Sequence, residues 1–486
     1  MARAGAPRAA HRPAGRADDL QRRRVRQPPP PHALRVPAGP HGRGHDHPLA
    51  ATPPSLGVGR RLRVGLAGGR AGQARPAGPR PGAGPVVNGV VYVSHNGALE
   101  PLGRSQVLPY LRGLVRHGIR ISLVTFEKPR DLAQRDRADE MRRSLEAAGI
   151  AWHPLRYRAS LAGKVVNLLQ GAWTAARLAR RLPAGLFHAR SHMAGAMALM
   201  ARFVRGGRLL FDLRGELAEE YADAGRWRRG GALYRATAAL ERRLLRRCDG
   251  LVVLSERLAR RVPARPGREV EVIPCCVDRT LFVPSGAGVP EAIRHVAGAP
   301  LLVYSGSVGT WYLLDEMTRF FARARRRIPS LHLLMLCPDP REHPRIRQSA
   351  ERAAVPPSSL TVCAESYERV PLYLRAARAG IAFIKPVPSK RGSSPTKIAE
   401  YLACGLPVIV NEGIGDLDSF VEPRGIGAAL RSFDDREMER GVGFLEAAGS
   451  DAALRDRCVR VAAELFDLET VGVARYRALY RRLGVA

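Results

Sequence analysis

Residues 394–409 read Ser-Pro-Thr-Lys-Ile-Ala-Glu-Tyr-Leu-Ala-Cys-Gly-Leu-Pro-Val-Ile. The initial Ser-Pro pair is typical of a helix start, because serine caps free backbone N–H groups and proline fits the first helical position. We therefore predict a helix over Thr396–Ala403, and the apolar run Pro407–Val410 predicts a buried strand. A helix that leads directly into a buried strand is the repeating unit of an α/β fold with a parallel sheet.

The start of this helix is also a predicted anion site. Its free N–H groups and the positive end of the helix dipole favour a bound anion. Lys385, Lys390, Arg391 and Lys397 surround it, so we expect a diphosphate there. Glu400 follows about one turn later, where its carboxylate can accept hydrogen bonds from both hydroxyls of a ribose. The alternative is an ordinary capped helix with a solvated glutamate.

The alternation of strands and helices extends outward along the chain. Before a turn-rich link at Pro284–Pro300, strands are predicted at Val90–Ser94, Arg120–Phe126, Leu186–Ala189, Leu209–Leu213, Gly250–Leu254 and Val270–Ile273. After the link, strands are predicted at Leu301–Tyr304, Leu331–Leu336, Ser359–Val362, Gly380–Phe383 and Pro407–Val410. These two series predict two Rossmann-like, doubly wound α/β domains that face each other across a cleft.

We place the predicted domains at residues 86–285 and 286–460, with a helix in residues 461–486 that packs back on the N-terminal domain. Residues 1–85 are dominated by Arg, Pro, Gly and Ala and contain no Glu or Lys. Such a segment buries too little apolar surface to offset its ordering entropy, so we predict a disordered tail. The alternative is that it is upstream sequence, translated from a misplaced start, and that true synthesis begins near Val86.

The formal net charge of +35 favours an anionic partner. A basic nucleic-acid-binding protein is one hypothesis, but only five of the 79 basic residues are lysine and about +13 of the charge lies in residues 1–85. The remaining body is still basic, which suits anionic substrates or an anionic membrane surface. The Arg-rich stretch Arg226–Arg247 can form a basic amphipathic helix on such a surface, or a plain solvated helix.

The seven cysteines form no C-x-x-C pair, so we expect a reducing cytoplasm and no metal site. No apolar run approaches the roughly 20 residues that span a bilayer. We therefore expect a cytoplasmic protein that is at most peripheral on the inner face of the membrane.

Other candidate residues follow predicted strands, where ligands bind in open α/β sheets. Gly306 and Gly309 follow Tyr304 and would let backbone N–H groups approach a phosphate. His95–Tyr110 forms a glycine-containing loop and helix after the first strand, and two polar strand ends include His192 and Arg214. A structural turn, or a structural histidine, is the alternative at each place.

These segments resemble glycosyltransferase family 4. Ala403–Ile409 is similar to the family's Gly-x-Pro-Val ending, and Glu400 matches the second glutamate of its Glu-x7-Glu pattern. Gly392 occupies the position of the first glutamate, while Ser307 and Tyr312 stand where many members have Arg and Lys. Ser394–Tyr401 resembles the Ser-Pro-x-Lys-x-x-Glu-Tyr branch, and Ile273–Asp278 resembles the crossing between the family's two domains.

The resemblance implies a GT-B fold and sugar transfer, with retention, from a nucleotide-diphosphate-sugar to a glycan or lipid-linked acceptor in polysaccharide or glycolipid biosynthesis. It implies no metal or other cofactor, the nucleotide-sugar being a co-substrate. It makes the N-terminal domain the acceptor side and the C-terminal domain the donor side. Alternatives are a nucleotide-sugar 2-epimerase of the same fold, a catalytically inactive scaffold, and the nucleic-acid-binding protein considered above.

The residue roles follow from the same resemblance. The donor-binding residues are Ser307, Gly309, Lys390, Arg391, Ser394, Thr396, Lys397 and Glu400. The catalytic residues are Gly97, Arg214 and His192, and the acceptor side includes Asn96 and Arg104.

Overall fold

The computed structural model describes residues 89–180, 185–286 and 288–485. The two hypotheses about residues 1–85 concern a segment outside these ranges. The described residues belong to one compact unit of the chain, Ala77–Ala486.

The first sheet defines the N-terminal domain. Within residues 89–180 and 185–286, its strands are β1 Gly89–Ser94, β2 Arg120–Glu127, β3 Ile150–Arg156, β4 Leu186–Arg190, β5 Arg208–Asp212, β6 Gly250–Val253 and β7 Glu269–Val272. They pair in the order β3-β2-β1-β4-β5-β6-β7, and every pair is parallel. The strand order reverses between β1 and β4, which is where an open parallel sheet forms its ligand crevice.

The second sheet defines the C-terminal domain. Within residues 288–485, its strands are β8 Leu301–Ser305, β9 His332–Leu336, β10 Leu360–Cys363, β11 Ala379–Ala382, β12 Val408–Asn411 and β13 Gly427–Leu430. They pair in the order β10-β9-β8-β11-β12-β13, again all parallel, with the reversal between β8 and β11.

Helices connect the strands on both faces of each sheet. In the N-terminal part they are α1 Pro101–Gln106, α2 Leu108–Arg116, α3 Pro129–Leu132, α4 Arg135–Ala147, α5 Leu161–Ala179, α6 Ser191–Arg205, α7 Leu217–Asp223, α8 Ala232–Arg247 and α9 Glu256–Arg261. In the C-terminal part they are α10 Leu314–Arg327, α11 His343–Arg352, α12 Val370–Arg375, α13 Thr396–Ala403, α14 Leu417–Phe420, α15 Asp435–Ala447, α16 Leu454–Phe466 and α17 Ala474–Arg482.

Each sheet is buried on both faces, because successive strand residues point to opposite sides. In β1, Val91 packs in one hydrophobic cluster with residues of α5, α6 and α8, while Val90 packs in another with residues of α2, α4 and α17. In β8, Leu302 and Val303 divide in the same way between two clusters. The predicted doubly wound α/β architecture is thereby confirmed.

The end of the chain packs on the N-terminal domain. Val277 pairs with Asp467 in a short parallel bridge, and a single π-helical stretch, Leu468–Val473, then leads into α17. Tyr480 of α17 is fully buried, and its hydroxyl lies 2.6 Å from Nδ1 of His188 in β4. The two domains are thus joined by two crossings of the chain.

The structure differs from the predicted elements at several places. β3 and β13 were not predicted, because β3 contains His153 and Pro154 and the four residues of β13 include no β-branched side chain. The helix predicted after the first strand, within His95–Tyr110, is broken at Val107, so α1 and α2 are separate. The Arg-rich helix begins only at Ala232, after the flexible pair Gly230-Gly231.

Candidate active site

The loops at the carboxyl ends of the two sheets meet in a cleft. Ser389 N donates a 2.9 Å hydrogen bond to Asp223 of α7, and Lys390 Nζ lies 2.8 Å from Glu220 of the same helix. In a second contact between the domains, the two carboxylate oxygens of Asp416 accept hydrogen bonds from backbone N–H groups at the start of α9, at 2.7 and 3.1 Å. These contacts hold the domains in a closed arrangement.

Lys397 is the central cation of the donor side. Its side chain begins in the first turn of α13 and is only 7% exposed, and Nζ has no hydrogen-bond partner among the described residues. Nζ lies 3.9 Å from the ring centroid of Tyr304 and 3.7 Å from that of Tyr312. Burial lowers the pKa of Lys397 well below its usual value, against the stabilising charge of Glu400. The Lys397 amino group is therefore buried without an anion bonded to it, and a bound anion would favour its charged form.

The glycine loop after β8 lies directly beside this ammonium. A Cβ placed on Gly306 would lie 3.1 Å from Lys397 Nζ, and the backbone φ of Gly306 is +124°. Only glycine adopts that conformation without strain, so the close approach of loop and lysine depends on it. The predicted glycine loop and the predicted helix start are thus brought together.

Glu400 lies one turn further along α13 and is also 7% exposed. Burial raises the pKa of its carboxyl group to about 7, and Lys397 and a hydrogen bond from Tyr367 oppose that shift. A carboxylate in this position is poorly solvated, so hydroxyl groups of a ligand would stabilise it.

The start of α13 differs from the prediction in one detail. Pro395 is the cap residue and Thr396 the first helical residue, and no side chain caps the helix. Ser394 Oγ instead accepts a 3.1 Å hydrogen bond from the backbone N–H of Cys275, which lies at the crossing between the domains. The N–H groups at the start of α13 are therefore not taken up by a serine cap.

The other predicted donor-binding residues are either paired with other residues or exposed. Lys390 is bound to Glu220 and lies 4.1 Å from the ring centroid of Trp311, so its charge is already paired. The side chain of Arg391 is exposed. Ser307 is exposed and its carbonyl accepts a hydrogen bond from the Tyr304 hydroxyl, while the Gly309 carbonyl accepts one from Tyr312 N at 3.0 Å.

The loop after β1 is built on a buried glutamate. Glu127 accepts hydrogen bonds from the backbone N–H groups of Ala98 at 2.7 Å and Leu99 at 3.2 Å. A Cβ placed on Gly97 would lie 2.3 Å from Oε2 of Glu127, so no side chain fits there without movement. Burial raises the pKa of Glu127, although the hydrogen bonds from Thr125 and the loop oppose this. Half-buried Asn96 precedes Gly97 and accepts a hydrogen bond from Ser94 through its carbonyl.

Arg214 belongs to a buried charge network at the end of β5. Its Nη1 lies 3.4 Å from Asp212, and Arg190 Nη1 approaches the same carboxyl group at 3.4 Å. Despite burial, Arg214 and its neighbours hold the pKa of Asp212 well below the usual range. Arg214 Nη2 also lies 3.3 Å from Sγ of Cys275, whose backbone N–H binds Ser394. Arg214 is therefore two contacts from the start of α13.

His192 and Arg104 each make an ionic contact with a carboxylate. His192 is 1% exposed, and its Nε2 lies 2.7 Å from Glu241 of α8. Arg104 is exposed and lies 2.8 Å from Glu368 of the C-terminal domain. In this arrangement the His192 ring contacts Glu241, and its assignment to the reacting centre stays a prediction.

Comparisons with known proteins agree with this architecture. A model of the Glycosyl transferase 4-like domain matches residues 103–276, whereas no curated protein sequence matches the chain. Sucrose-phosphate synthase (tll1590) from Thermosynechococcus elongatus has a TM-score of 0.62 at 18% identity, covering 82% of this chain and 99% of that one. HepE from Anabaena in complex with UDP-glucose has a TM-score of 0.59 at 14% identity, covering 81% and 99%.

The chain is a glycosyltransferase of the GT-B fold. The resemblance to family 4 is confirmed by the matched domain and by the fold of these neighbours. A third neighbour, a putative UDP-N-acetylglucosamine 2-epimerase from Listeria monocytogenes, has a TM-score of 0.51 at 13% identity and covers 80% of this chain and 94% of that one. The fold is shared by that enzyme class as well.

In this glycosyltransferase Gly392 stands where the family has its first glutamate, and it lies at a contact between the two domains. Gly392 is buried, and a Cβ there would lie 3.0 Å from Leu258 of α9. A side chain at 392 would therefore require Leu258 to shift by a few tenths of an ångström. The close approach of this loop to the N-terminal domain thus favours glycine at 392.

Sequence reasoning missed several residues of the site. Tyr304 and Tyr312 enclose the glycosyltransferase's Lys397, yet Tyr312 was noted only as the replacement of a cation. Tyr367 at Glu400 and Asp416 at α9 come from loops without a motif. The signal in the sequence that could have indicated this contact is the replacement of the family's lysine by an aromatic residue, Tyr312.

The glycosyltransferase has two further properties that bear on earlier expectations. Within the described ranges, no helix is long and apolar enough to cross a membrane. In the same part of the chain, no cluster of three or more His, Cys, Asp or Glu is arranged to hold a metal ion.

Proposed function

We propose that this glycosyltransferase moves a sugar, with retention, from a nucleotide-diphosphate-sugar to a glycan or lipid-linked acceptor in polysaccharide or glycolipid biosynthesis. The observation that carries the proposal is the buried, unbonded ammonium of Lys397 beside Gly306. Two tyrosine rings contact this cation, but burial without a bonded anion is still costly, and a diphosphate would lower that cost.

The donor's pyrophosphate would lie between the loop after β8 and the start of α13. There it would accept hydrogen bonds from Lys397, from backbone N–H groups near Ser307 and Gly309, and from the N–H groups of Thr396 and its neighbours. Since Lys390 is paired with Glu220, we assign it to domain closure rather than to the phosphates. Exposed Arg391 remains a candidate for an outer phosphate oxygen.

The ribose would lie against Glu400. The poorly solvated carboxylate can accept two hydroxyl hydrogen bonds, which also favours its ionised form. UDP-glucose in the HepE neighbour supports a nucleotide-sugar of this type.

The transferred sugar would face the loop after β1 and the end of β5. Gly97 allows the loop backbone to pack against Glu127, and the fixed cation Arg214 can stabilise charge that develops on the leaving diphosphate. We place the acceptor on the Asn96 side of the cleft, where Arg104 closes the entrance against Glu368.

Thermal unfolding with a panel of nucleotide diphosphates and nucleotide-sugars tests the proposal. A true donor at a hundredfold excess over its Kd should stabilise the fold by about 2.7 kcal/mol. At the same ligand concentration the effect should fall to roughly 1 kcal/mol in Lys397→Met, fall strongly in Glu400→Gln, and persist in the surface control Lys164→Met. NMR of the product anomer then decides retention. If no nucleotide stabilises the chain, the proposal fails.

The epimerase neighbour makes one further outcome worth measuring. An epimerase would convert the nucleotide-sugar without any acceptor. Detection of an epimerised nucleotide-sugar by NMR, with no sugar transferred, would replace the transfer reaction by this second function.

A further inference from the structure

The outer surface of α5 and α6 is apolar where helices that face water are normally polar. On α5, Leu161, Val165, Leu169 and Trp173 repeat at intervals of four residues and so share one face, and all four are exposed. Leu161 is 81% exposed and Trp173 is 64% exposed. At the end of α6, Phe203 is 92% exposed beside the similarly exposed Val204. We call this the α5–α6 surface.

A groove of about 910 Å³ runs through the α5–α6 surface, and its lining includes Trp173 and Phe203. Arginines line it too: Arg177, Arg180, Arg205, Arg243 and Arg247 are exposed, and none has an acidic partner among the described residues. Neither α5 nor α6 contains an Asp or Glu. Apolar side chains therefore form one continuous surface with guanidinium groups that have no acidic partner among the described residues, and one of these, that of Arg177, lies 5.3 Å from the centroid of the Trp173 ring.

We propose that the α5–α6 surface docks on an anionic lipid membrane. Tryptophan and phenylalanine would enter the boundary between headgroups and acyl chains, and the arginines would bind lipid phosphates while their stems cover apolar surface. Attraction of basic residues to anionic headgroups supplies the second signal that stable peripheral binding requires.

Charge separates this occupant from the others. A second copy of the chain would bring the same arginine rim against itself. Residues 1–85 contain 16 Arg and 3 Asp, so they too would meet like charge. A nucleic acid could stack bases on the aromatic rings but offers nothing to the aliphatic side chains of Leu161, Val165 and Leu169, whereas an anionic bilayer matches both the apolar stripe and the arginine rim.

The location of the surface fits a membrane-bound acceptor. α5 begins just after the carboxyl end of β3, at the sheet edge where the cleft loops lie, so Leu161 marks the cleft end of the apolar stripe. Docking would bring a lipid-linked acceptor to that edge of the N-terminal domain. This last step rests on the proposed function, whereas docking itself does not.

The full chain should be tested by flotation with vesicles of phosphatidylcholine alone and of phosphatidylcholine with phosphatidylglycerol. We expect binding only to the anionic vesicles, weakened by salt. The pair Trp173→Ser and Phe203→Ser should lower the partition coefficient by roughly tenfold or more. The pair Arg205→Glu and Arg243→Glu should do the same. The matched controls Val289→Ser and Arg326→Glu, both exposed elsewhere, should bind like the wild type.

Other results would overturn the proposal. These are equal binding by the wild type and the α5–α6 variants, no binding to anionic vesicles, or binding that disappears only when residues 1–85 are deleted. A dimer that dissociates in the serine variants would identify a second copy as the occupant. Nucleotide-sugar affinity is measured on the wild type and on the same variants. If the wild type itself binds no nucleotide-sugar, the result contradicts the proposed function but not docking.

Discussion

The ammonium of Lys397 and the carboxyl group of Glu400 lie one turn apart on α13, and both are buried. Burial pushes the two pKa values toward each other, downward for Lys397 and up to about 7 for Glu400, while the charge of each partner opposes the shift of the other. Keeping either group ionised therefore costs free energy in the absence of ligand, and a bound diphosphate and its ribose would lower that cost.

Lys397→Met should weaken donor binding without weakening the fold. Loss of a charge-assisted hydrogen bond to the diphosphate should cost about 2 kcal/mol, or roughly thirtyfold in Kd. In the absence of ligand, the variant should unfold at an equal or higher temperature than the wild type, because a buried ammonium without a hydrogen-bond partner is removed. Calorimetric titration and thermal unfolding measure the two effects. A variant that loses stability but keeps donor affinity would assign Lys397 to packing.

Glu400 should make binding of the nucleotide-sugar depend on pH near neutrality. If the ionised carboxylate accepts the ribose hydroxyls, affinity should fall as pH drops through about 7, by at most tenfold per pH unit for one proton. A nucleotide-sugar is the right probe because its diphosphate diester does not titrate in this range. Titrations of the wild type should show this slope, and Glu400→Gln should bind weakly at every pH. A sloping profile in the variant would mean that another group titrates.

The same carboxyl group should affect stability in the opposite sense. Its folded pKa is raised, so its contribution is most favourable when it is protonated and is lost as pH rises toward about 7. Above that pH, Glu400→Gln should have a higher free energy of unfolding than the wild type in the absence of ligand. Urea unfolding at two pH values, one on either side of neutrality, checks this; equal stability above neutrality would contradict it.

The local sequence pattern was sufficient to predict the positions of the strands that are mostly apolar. β1 and β8 are uniformly buried and carry Val, Leu and Tyr, so their pattern is unambiguous. β13 reads Gly-Ala-Ala-Leu and is held by its pairing with β12 and by burial, which no local propensity reveals. The helix start at Thr396 was predictable, but the role of Ser394 was not, because its partner Cys275 is distant in sequence.

Gly97→Ala should impair catalysis more than folding. The new methyl group would meet Glu127 Oε2, whose carboxylate holds the next two backbone N–H groups of the loop, so the loop must shift. A displacement on the order of 1 Å near reacting atoms costs about a hundredfold in kcat. Steady-state kinetics with unchanged nucleotide affinity would agree. Glu127→Ala makes room for the methyl group, so the double variant should lose less than the product of the single effects; strict additivity would show that the two residues do not interact.

Asp212→Ala should destabilise the N-terminal domain strongly. Its removal leaves Arg190 and Arg214 buried without an anion, and breaking a buried pair in this way costs about 3–5 kcal/mol. The pKa of Asp212 is held well below normal, so its stabilising effect is present above the unfolded pKa and is lost only in strong acid. Urea unfolding at neutral pH should show this loss of stability. As a control, Asp451→Ala, which removes the exposed ion pair with Arg457, should change the free energy of unfolding little. A wild-type-like midpoint for Asp212→Ala would show that the guanidinium groups find water or other partners.

The contacts between the two domains could not be predicted from local sequence patterns, because each of them joins residues more than a hundred positions apart. Asp416 is the clearest case, since its carboxylate accepts from the backbone N–H groups of Glu256 and Arg257 across the cleft. The basic loop was predicted as a phosphate grip, yet Lys390 reaches Glu220 on the opposite domain. Sequence therefore predicted a basic loop before α13, and the pairing of its residues across the cleft came only from the structure.

Asp416→Ala should favour an open enzyme. Loss of two hydrogen bonds at about 1 kcal/mol each shifts the closed population by roughly thirtyfold. Since the proposed donor residues lie on one domain, nucleotide affinity should hold while kcat falls, because closure assembles the two halves of the site. Small-angle scattering should show a larger radius of gyration, and kinetics should show the fall in kcat. Glu464→Ala is the matched control, because its ion pair with Arg424 stays within the C-terminal domain. An unchanged radius with lowered kcat would mean that Asp416 acts on α9 alone and that closure is held by the contacts of Lys390 and Ser389.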